Sequence, residues 1–254
     1  MATCKNCGNP LILSGGKCTY CGAIPNQASQ YNAGKQVGGK SKQIVQRRSF
    51  ANHPKSIEEL KIKVTSPCYD DIGQVLNQLG VPYLSFDGDY NCDILFLNCG
   101  TSDRINPQQL NAFVQKGGIL YASDLTSDIV IGTWPDIMRV DNDTSSCTIR
   151  AKVVDPDLQQ YIGDIIDVEF DLGVWSKIIE APQGKVLMQS KSKGFPIMVE
   201  FSIGQGKVFY TSFHNHAQTA EAEKKLLQLL VIKQVASATK QDFRKTVSSM
   251  SVKF

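Results

Sequence analysis

Two Cys-x-x-Cys pairs stand close together at the start of this 254-residue chain, and they constrain how that short segment can fold. The four thiols belong to Cys4, Cys7, Cys18 and Cys21. A glycine follows each pair, where a tight turn around a metal ion favours a positive φ. This spacing predicts a zinc ribbon over residues 1–24, in which four thiolates close a tetrahedral, structural Zn²⁺ site. Two disulfides or four free thiols are the alternatives.

The segment that follows the ribbon is basic and poor in large apolar side chains. Residues 25–57 contain no Asp or Glu, and they are rich in Gly, Gln, Ser and Asn. Such a composition cannot bury enough surface to offset chain entropy, so it predicts a flexible basic linker. The linker is either a solvated spacer or an electrostatic tether to nucleic acid or to an acidic protein.

Apolar strands alternate with amphipathic helices over residues 58–237. Strands are predicted at 61–66, 81–86, 93–100 and 117–124, and helices at 71–79 and 106–114. Short loops between alternating strands and helices predict an α/β fold with a doubly wound, flavodoxin-like, mostly parallel sheet.

A second group of strands is predicted between residues 148 and 201. Several of them alternate apolar and polar residues, and turn-forming Gly and Pro residues separate them, which predicts an antiparallel extension of the sheet. A last core strand is predicted within 204–216, followed by a helix over 219–235. Residues 238–254 are rich in Ser and Lys and are expected to form a disordered tail.

The composition and the N-terminal sequence narrow the range of functions that this chain can have. No apolar run approaches the length of a membrane span, and the N-terminus has no signal-peptide core. A thiolate zinc site together with unpaired cysteines fits a reducing cytoplasm, so a cytoplasmic protein is expected. The net charge of +3 does not by itself imply a nucleic-acid partner.

Three landmarks of the α/β region resemble the class I glutamine amidotransferase-like superfamily, in its ThuA-like branch. Residues 113–124, which pass through two glycines into an apolar strand, resemble the approach to that family's nucleophile elbow. Residues 97–101 resemble its glycine-rich oxyanion loop, and residues 206–216 resemble the strand that delivers its histidine. The resemblance covers about residues 61–235 and implies the flavodoxin-like fold.

The chain departs from this family at the residues that carry catalysis. Ala122, Ser123 and Asp124 occupy the turn where the family has cysteine, and His216 stands where it has glutamate. The Cys-His-Glu triad is therefore absent, and glutaminase activity is not expected. Ser123 and His214 are the remaining candidate nucleophile and base.

Further residues are expected near the same pocket. They are Asn98, Cys99, Gly100, Asp124 and His216. His214 and His216 alternate along the chain and could bind a metal with Asp124 or Asp103. Cys99 is either a reactive thiol or a small buried apolar residue.

These observations predict a non-enzymatic adaptor with one structural Zn²⁺ and a degenerate amidotransferase-like domain that binds a partner or a small ligand. The ribbon is expected to recruit a protein partner. A hydrolase that uses Ser123 and His214 is the first alternative. A nucleic-acid-binding protein that uses the ribbon and the basic linker is the second.

Overall fold

The computed structural model describes residues 55–215, 218 and 220–250, together with the strand residues 13–14 and 17–18. The chain divides into two compact units, Met1–Phe50 and Ala51–Phe254. In the first unit, β1 (Leu13–Ser14) pairs with β2 (Lys17–Cys18) in antiparallel orientation. The ligand side chains of the predicted zinc ribbon and most of the linker lie outside the described residues, so both stay predictions.

The second unit contains eleven strands and six helices in its described part. The strands are β3 (Ile62–Val64), β4 (Leu84–Ser85), β5 (Ile94–Leu97), β6 (Ile119–Ser123), β7 (Arg139–Asp143), β8 (Cys147–Val153), β9 (Ile165–Phe170), β10 (Trp175–Glu180), β11 (Lys185–Ser190), β12 (Pro196–Ile203) and β13 (Gly206–Thr211). The helices are α1 (Ile72–Gln78), α2 (Pro107–Gln115), α3 (Ser127–Thr133), α4 (Pro156–Ile162), α5 (Glu221–Thr239) and α6 (Phe243–Ser249).

Nine strands form one sheet in the order β4-β3-β5-β6-β13-β12-β11-β8-β9. The first five run parallel to one another, and the last four continue the sheet in antiparallel orientation, beginning with the pairing of β12 to β13. The predicted flavodoxin-like sheet and its antiparallel extension are both confirmed. The parallel strands have the order 2-1-3-4-5 of a flavodoxin-like fold.

Two apolar cores cover the two faces of this sheet. Along β5, Ile94 and Phe96 belong to one core while Leu95 and Leu97 belong to the other, as the two-residue period of a strand requires. Helices α1, α4, α5 and α6 contribute to the first core, and α2 and α3 contribute to the second. Helices on both faces explain why β5 is apolar throughout, and they confirm the doubly wound arrangement.

Local signals explain where several helices begin and end. The Asn106 side chain accepts a hydrogen bond from Gln109 N at 3.0 Å, and Pro107 takes the first position of α2. Gly80 follows α1 with a φ of +66°, a conformation that glycine adopts without strain.

The described residues 238–250 correct the expectation of a disordered tail at 238–254, of which the last four residues lie outside the described chain. Helix α5 continues to Thr239, and Asp242 caps α6 by accepting a hydrogen bond from Lys245 N at 3.1 Å. Phe243 and Val247 of α6 are buried in the first core. This stretch is rich in Ser and Lys, but two apolar residues four positions apart are enough to dock one short helical face.

The antiparallel pair β7 and β10 forms a separate two-stranded sheet that the sequence did not suggest. Trp175 of β10 is buried in the first core, and its ring lies 4.3 Å, centroid to centroid, from that of Phe170. None of the helices in the described ranges combines the length and apolarity that crossing a bilayer requires.

Candidate functional site

The carboxyl ends of β3, β5, β6 and β13 lie side by side at one edge of the parallel sheet. In open α/β sheets this edge carries the ligand site, at the point where the strand order reverses. The segments leaving these strands bring Asp70, Cys99, Asp124 and His214 to this edge, which is where the sequence predicted a pocket.

The turn after β6 is strained at Asp124. This residue has a φ of +44°, and the only other non-glycine residue with a positive φ in the described chain is Lys240. A 3₁₀ turn over Asp124–Thr126 then leads into α3. A strained residue between a strand and a helix is the geometry of a nucleophile elbow. Asp124 therefore occupies the elbow position, one residue beyond the predicted Ser123.

Ser123 is the last residue of β6 and has no exposed surface. Its Oγ donates a hydrogen bond to Asp70 Oδ2 at 2.5 Å. The other carboxylate oxygen of Asp70 accepts a hydrogen bond from Asn215 N at 2.6 Å. These contacts join β6 to the segments that follow β3 and β13. Within the described chain Ser123 Oγ makes no hydrogen bond to His214, and the predicted catalytic role of Ser123 stays a prediction.

The Asp124 side chain is 1% exposed, and its two oxygens have different neighbours. Oδ1 accepts a hydrogen bond from Ser176 N at 2.8 Å. Oδ2 lies 3.7 Å from Cys99 Sγ and 3.7 Å from His214 Nδ1. The hydroxyl of Tyr210 donates to the Asp124 carbonyl at 2.7 Å. These neighbours hold the elbow in place from β5, β10 and β13.

His214 follows β13 and is buried, with 3% of its surface exposed. Its Nε2 lies 3.0 Å from Asp171 Oδ1, whose side chain is about half exposed. Burial alone would lower the pKa of His214, but the carboxylates of Asp124, Asp70 and Asp171 together raise it above its ordinary value. Asp171 thus supplies the orienting carboxylate that sequence reasoning did not find.

Cys99 follows β5 and has no exposed surface. Burial, reinforced by the nearby Asp124 carboxylate, raises the pKa of its thiol well above the ordinary range. The neighbouring backbone N–H of Leu125 lowers that pKa, but burial outweighs it. The Cys99 thiol is therefore not activated as a nucleophile.

The side chain of Asn98, another predicted pocket residue, forms hydrogen bonds with the backbone of two neighbouring segments. Its Oδ1 accepts from Ile72 N at 3.0 Å, and its Nδ2 donates to Thr65 O at 2.8 Å. Asn98 therefore fixes the start of α1 against the end of β3.

Gly100 has a φ of +74°, and a Cβ there would lie 2.5 Å from the Tyr69 ring. The loop over residues 97–101 is consequently packed against the segment that follows β3.

The structure thus gathers Cys99, Asp124 and His214 into one cluster and engages Ser123 and Asn98 in other contacts. His216 lies outside the described residues. Asp103, named as a metal ligand in one alternative, instead accepts hydrogen bonds from Ser66 N and Ser66 Oγ at 2.6 and 3.2 Å.

Sequence reasoning missed Asp70, Asp171 and Ser176. Asp70 and Asp171 each lie after a predicted strand, and this position was the only sequence signal that they could belong to the site. Nothing in the sequence indicates which strand ends meet in the fold.

A cleft of about 480 Å³ lies at the opposite end of the strands. It is lined by residues just before β5 and β6, among them Asp93 and Gly118, and by Asp89, Phe113 and Lys116. Its lining contains none of the clustered residues Cys99, Asp124 and His214. The cluster is closed by the packing that buries its three side chains.

No family model and no curated protein sequence matches this chain. Solved structures with a similar fold include the mmIFT52 N-terminal domain, at 10% identity and a TM-score of 0.53. That match covers 68% of this chain and 96% of the other. A ThuA-like protein from Bacteroides uniformis ATCC 8492 is 10% identical with a TM-score of 0.50, covering 70% and 91% of the two chains.

The cold-adapted β-galactosidase from Rahnella sp. R3 is also similar, at 12% identity and a TM-score of 0.51. The match covers 72% of this chain but only 32% of the β-galactosidase, so this chain spans about a third of that protein's length. Because sequence identity is this low, these likenesses show the fold alone. The α/β unit shares the fold of a ThuA-like protein.

Proposed function

We propose that this chain is a non-enzymatic adaptor. Its zinc ribbon recruits a protein partner, and its α/β unit is a degenerate member of the amidotransferase-like superfamily that acts as a binding platform. The observation that carries this proposal is the closed elbow, where Ser123, Asp124, Cys99 and His214 are each no more than 3% exposed. An elbow whose candidate catalytic side chains are all buried does not present them to a substrate.

The side chains around the elbow support the same conclusion. A hydrolase needs an accessible nucleophile next to a base. Ser123 instead donates to Asp70, and both side chains are fully buried. Asp124 occupies the elbow itself, and the Ser176 N–H already holds one of its oxygens. Both groups fasten neighbouring segments of the fold to each other.

One observation favours the alternative of a hydrolase with an unidentified substrate. His214 Nε2 lies 3.0 Å from Asp171 Oδ1, the arrangement that orients a catalytic base. The same contact is equally useful for holding His214 in a structural role. The adaptor proposal is preferred because this base faces Asp124 and Cys99 inside the protein, where no substrate atom has access.

Comparing two variants of the full-length chain tests the proposal. Cys18→Ser disrupts the predicted ribbon, and Ser123→Ala removes the candidate nucleophile. Proteins cross-linked to each variant in the native cell type are identified by quantitative mass spectrometry. We expect Cys18→Ser to lose the partners of the unmodified chain and Ser123→Ala to keep them. If Ser123→Ala abolishes the cellular function while Cys18→Ser leaves it intact, the protein is an enzyme and the adaptor proposal fails.

A further inference from the structure

The three buried side chains beside the elbow have the geometry of a metal site. One potential ligand atom from each of Cys99, Asp124 and His214 lies within 4.8 Å of the other two. Asp124 Oδ2 is 3.7 Å from Cys99 Sγ and from His214 Nδ1. Zinc–ligand bonds of about 2.0–2.3 Å place neighbouring ligands of a tetrahedral ion about 3.3–3.8 Å apart. Two of the three separations already match this value.

The donor atoms select the metal. A thiolate sulfur, an imidazole nitrogen and a carboxylate oxygen together suit Zn²⁺, whereas Mg²⁺ and Ca²⁺ favour sites made of oxygen alone. Binding to the ion would deprotonate the Cys99 thiol. We propose that Cys99, Asp124 and His214 hold a second zinc ion, separate from the ion of the predicted ribbon.

Neighbouring groups hold two of the proposed ligands, His214 and Asp124, in position. Asp171 Oδ1 lies 3.0 Å from His214 Nε2, which leaves Nδ1 directed at the cluster. The Ser176 N–H donates to Asp124 Oδ1, which leaves Oδ2 for the metal. Carboxylates and backbone groups that orient metal ligands in this way are a regular part of zinc sites.

The charges of the cluster also fit a cation. Asp124 is a buried carboxylate, and within the described chain its ion pair is with His214, with no lysine or arginine paired to it. A buried anion is costly unless a cation or several donors compensate for it. A divalent ion would balance Asp124 and a Cys99 thiolate together.

The proposed ion would join three elements of the sheet. Cys99 follows β5, Asp124 follows β6 and His214 follows β13, so one ion would connect the ends of three adjacent strands. Three protein ligands leave one of the four positions around a tetrahedral zinc ion open, and the burial of all three side chains closes that position to a substrate. Zinc would thus stabilise the closed elbow.

Measuring the zinc content of the full-length chain tests this proposal, provided that the predicted ribbon can no longer bind its own zinc ion. In a background with Cys4, Cys7, Cys18 and Cys21 changed to serine, purified without chelator, we expect about one zinc per chain. Adding Cys99→Ser to this background should remove that ion. Adding Cys92→Ser instead, which changes a partly buried thiol elsewhere, should leave it.

A second measurement keeps the test valid if Cys99→Ser fails to fold. The melting temperature of the ribbon-free background is measured with EDTA and with added Zn²⁺. An ion that binds the folded state alone raises the melting temperature in proportion to its affinity and concentration. We expect EDTA to lower it and zinc to restore it. A ribbon-free chain that holds no zinc and melts at the same temperature in both conditions would overturn the proposal and leave a hydrogen-bonded thiol–carboxylate–imidazole cluster.

Discussion

Replacing Asp70 by alanine is expected to destabilise the α/β unit strongly, because this carboxylate joins three segments around the elbow. Asp70 is fully buried and accepts hydrogen bonds from Ser123 Oγ and Asn215 N. Alanine would leave both donors without this acceptor, and a buried unsatisfied donor costs about 1–3 kcal/mol. The two donors together predict a loss of about 2–6 kcal/mol in the free energy of unfolding, toward the lower figure because Ser123 Oγ can still donate to the Leu97 carbonyl at 3.4 Å.

Asparagine at the same position separates hydrogen bonding from charge. Its amide can still accept from Asn215 N and can donate to Ser123 Oγ, so both contacts survive as neutral hydrogen bonds. Hydrogen bonds to charged groups contribute about 1 kcal/mol more than neutral ones, so Asp70→Asn should cost about 2 kcal/mol. Asp71→Ala is the matched control, because that carboxylate bonds Gln74 Nε2 at an exposed position. It should change stability by less than about 0.5 kcal/mol.

Equilibrium urea unfolding at neutral pH, followed by tryptophan fluorescence, measures these differences. Combining Asp70→Ala with Ser123→Ala should cost less than the sum of the two single changes, by about 1 kcal/mol or more, since the residues share one hydrogen bond. Additive effects, or an Asp70→Ala chain as stable as Asp71→Ala, would refute the view that Ser123 serves the fold through Asp70.

Three further predictions concern other parts of the chain. Asp155 is fully buried between Lys185 and Lys233, at 2.7 and 3.0 Å, so Asp155→Ala should cost about 3–5 kcal/mol in urea unfolding. Burial would raise the pKa of Asp155, but the two lysines lower it below its ordinary value. The contribution of Asp155 to the free energy of unfolding is therefore present above its unfolded-state pKa and disappears as the pH falls through its folded-state pKa. If an Asp155→Asn chain loses stability in acid in parallel with the unmodified chain, this explanation is contradicted. Phe243→Ala in α6 should lower the free energy of unfolding by about 3–5 kcal/mol, measured in urea. A loss below about 1 kcal/mol would show that α6 contributes little to the stability of the core. Cys18→Ser should release about one zinc per chain, by elemental analysis, without changing the unfolding of the α/β unit, and an unchanged zinc content would exclude the ribbon.

The parallel sheet could be predicted from the sequence because burial on both faces leaves a plain signal. The continuous apolar run at Ile94–Leu97 and the alternation in the later strands separated the parallel part from its antiparallel extension. Helix α2 was predictable for a local reason, its Asn106 cap followed by proline. The pair β7 and β10 gave no comparable signal, since the residues of β7 other than Val140 are polar and the strand is mostly exposed.

The site was predicted less completely, because its contacts join residues far apart in sequence. The turn after β6 was located, but whether Ser123 or Asp124 takes the strained position depends on how the last strand residue packs against Asp70. The partner of His214 was missed, since the amidotransferase pattern places a carboxylate two residues later and this chain supplies Asp171 from the segment after β9. Only the fold brings these two residues together.

Peptide-resolved labelling of the native, full-length chain tests most directly whether the elbow is closed. The protein is treated with a fluorophosphonate, which reports an activated serine, and separately with iodoacetamide. Cys68 is exposed and should be alkylated rapidly, whereas Cys99 should react only after denaturation, and Ser123 should carry no fluorophosphonate adduct. Stoichiometric labelling of Ser123, or alkylation of native Cys99 as fast as that of Cys68, would show an open, reactive site and contradict the adaptor account.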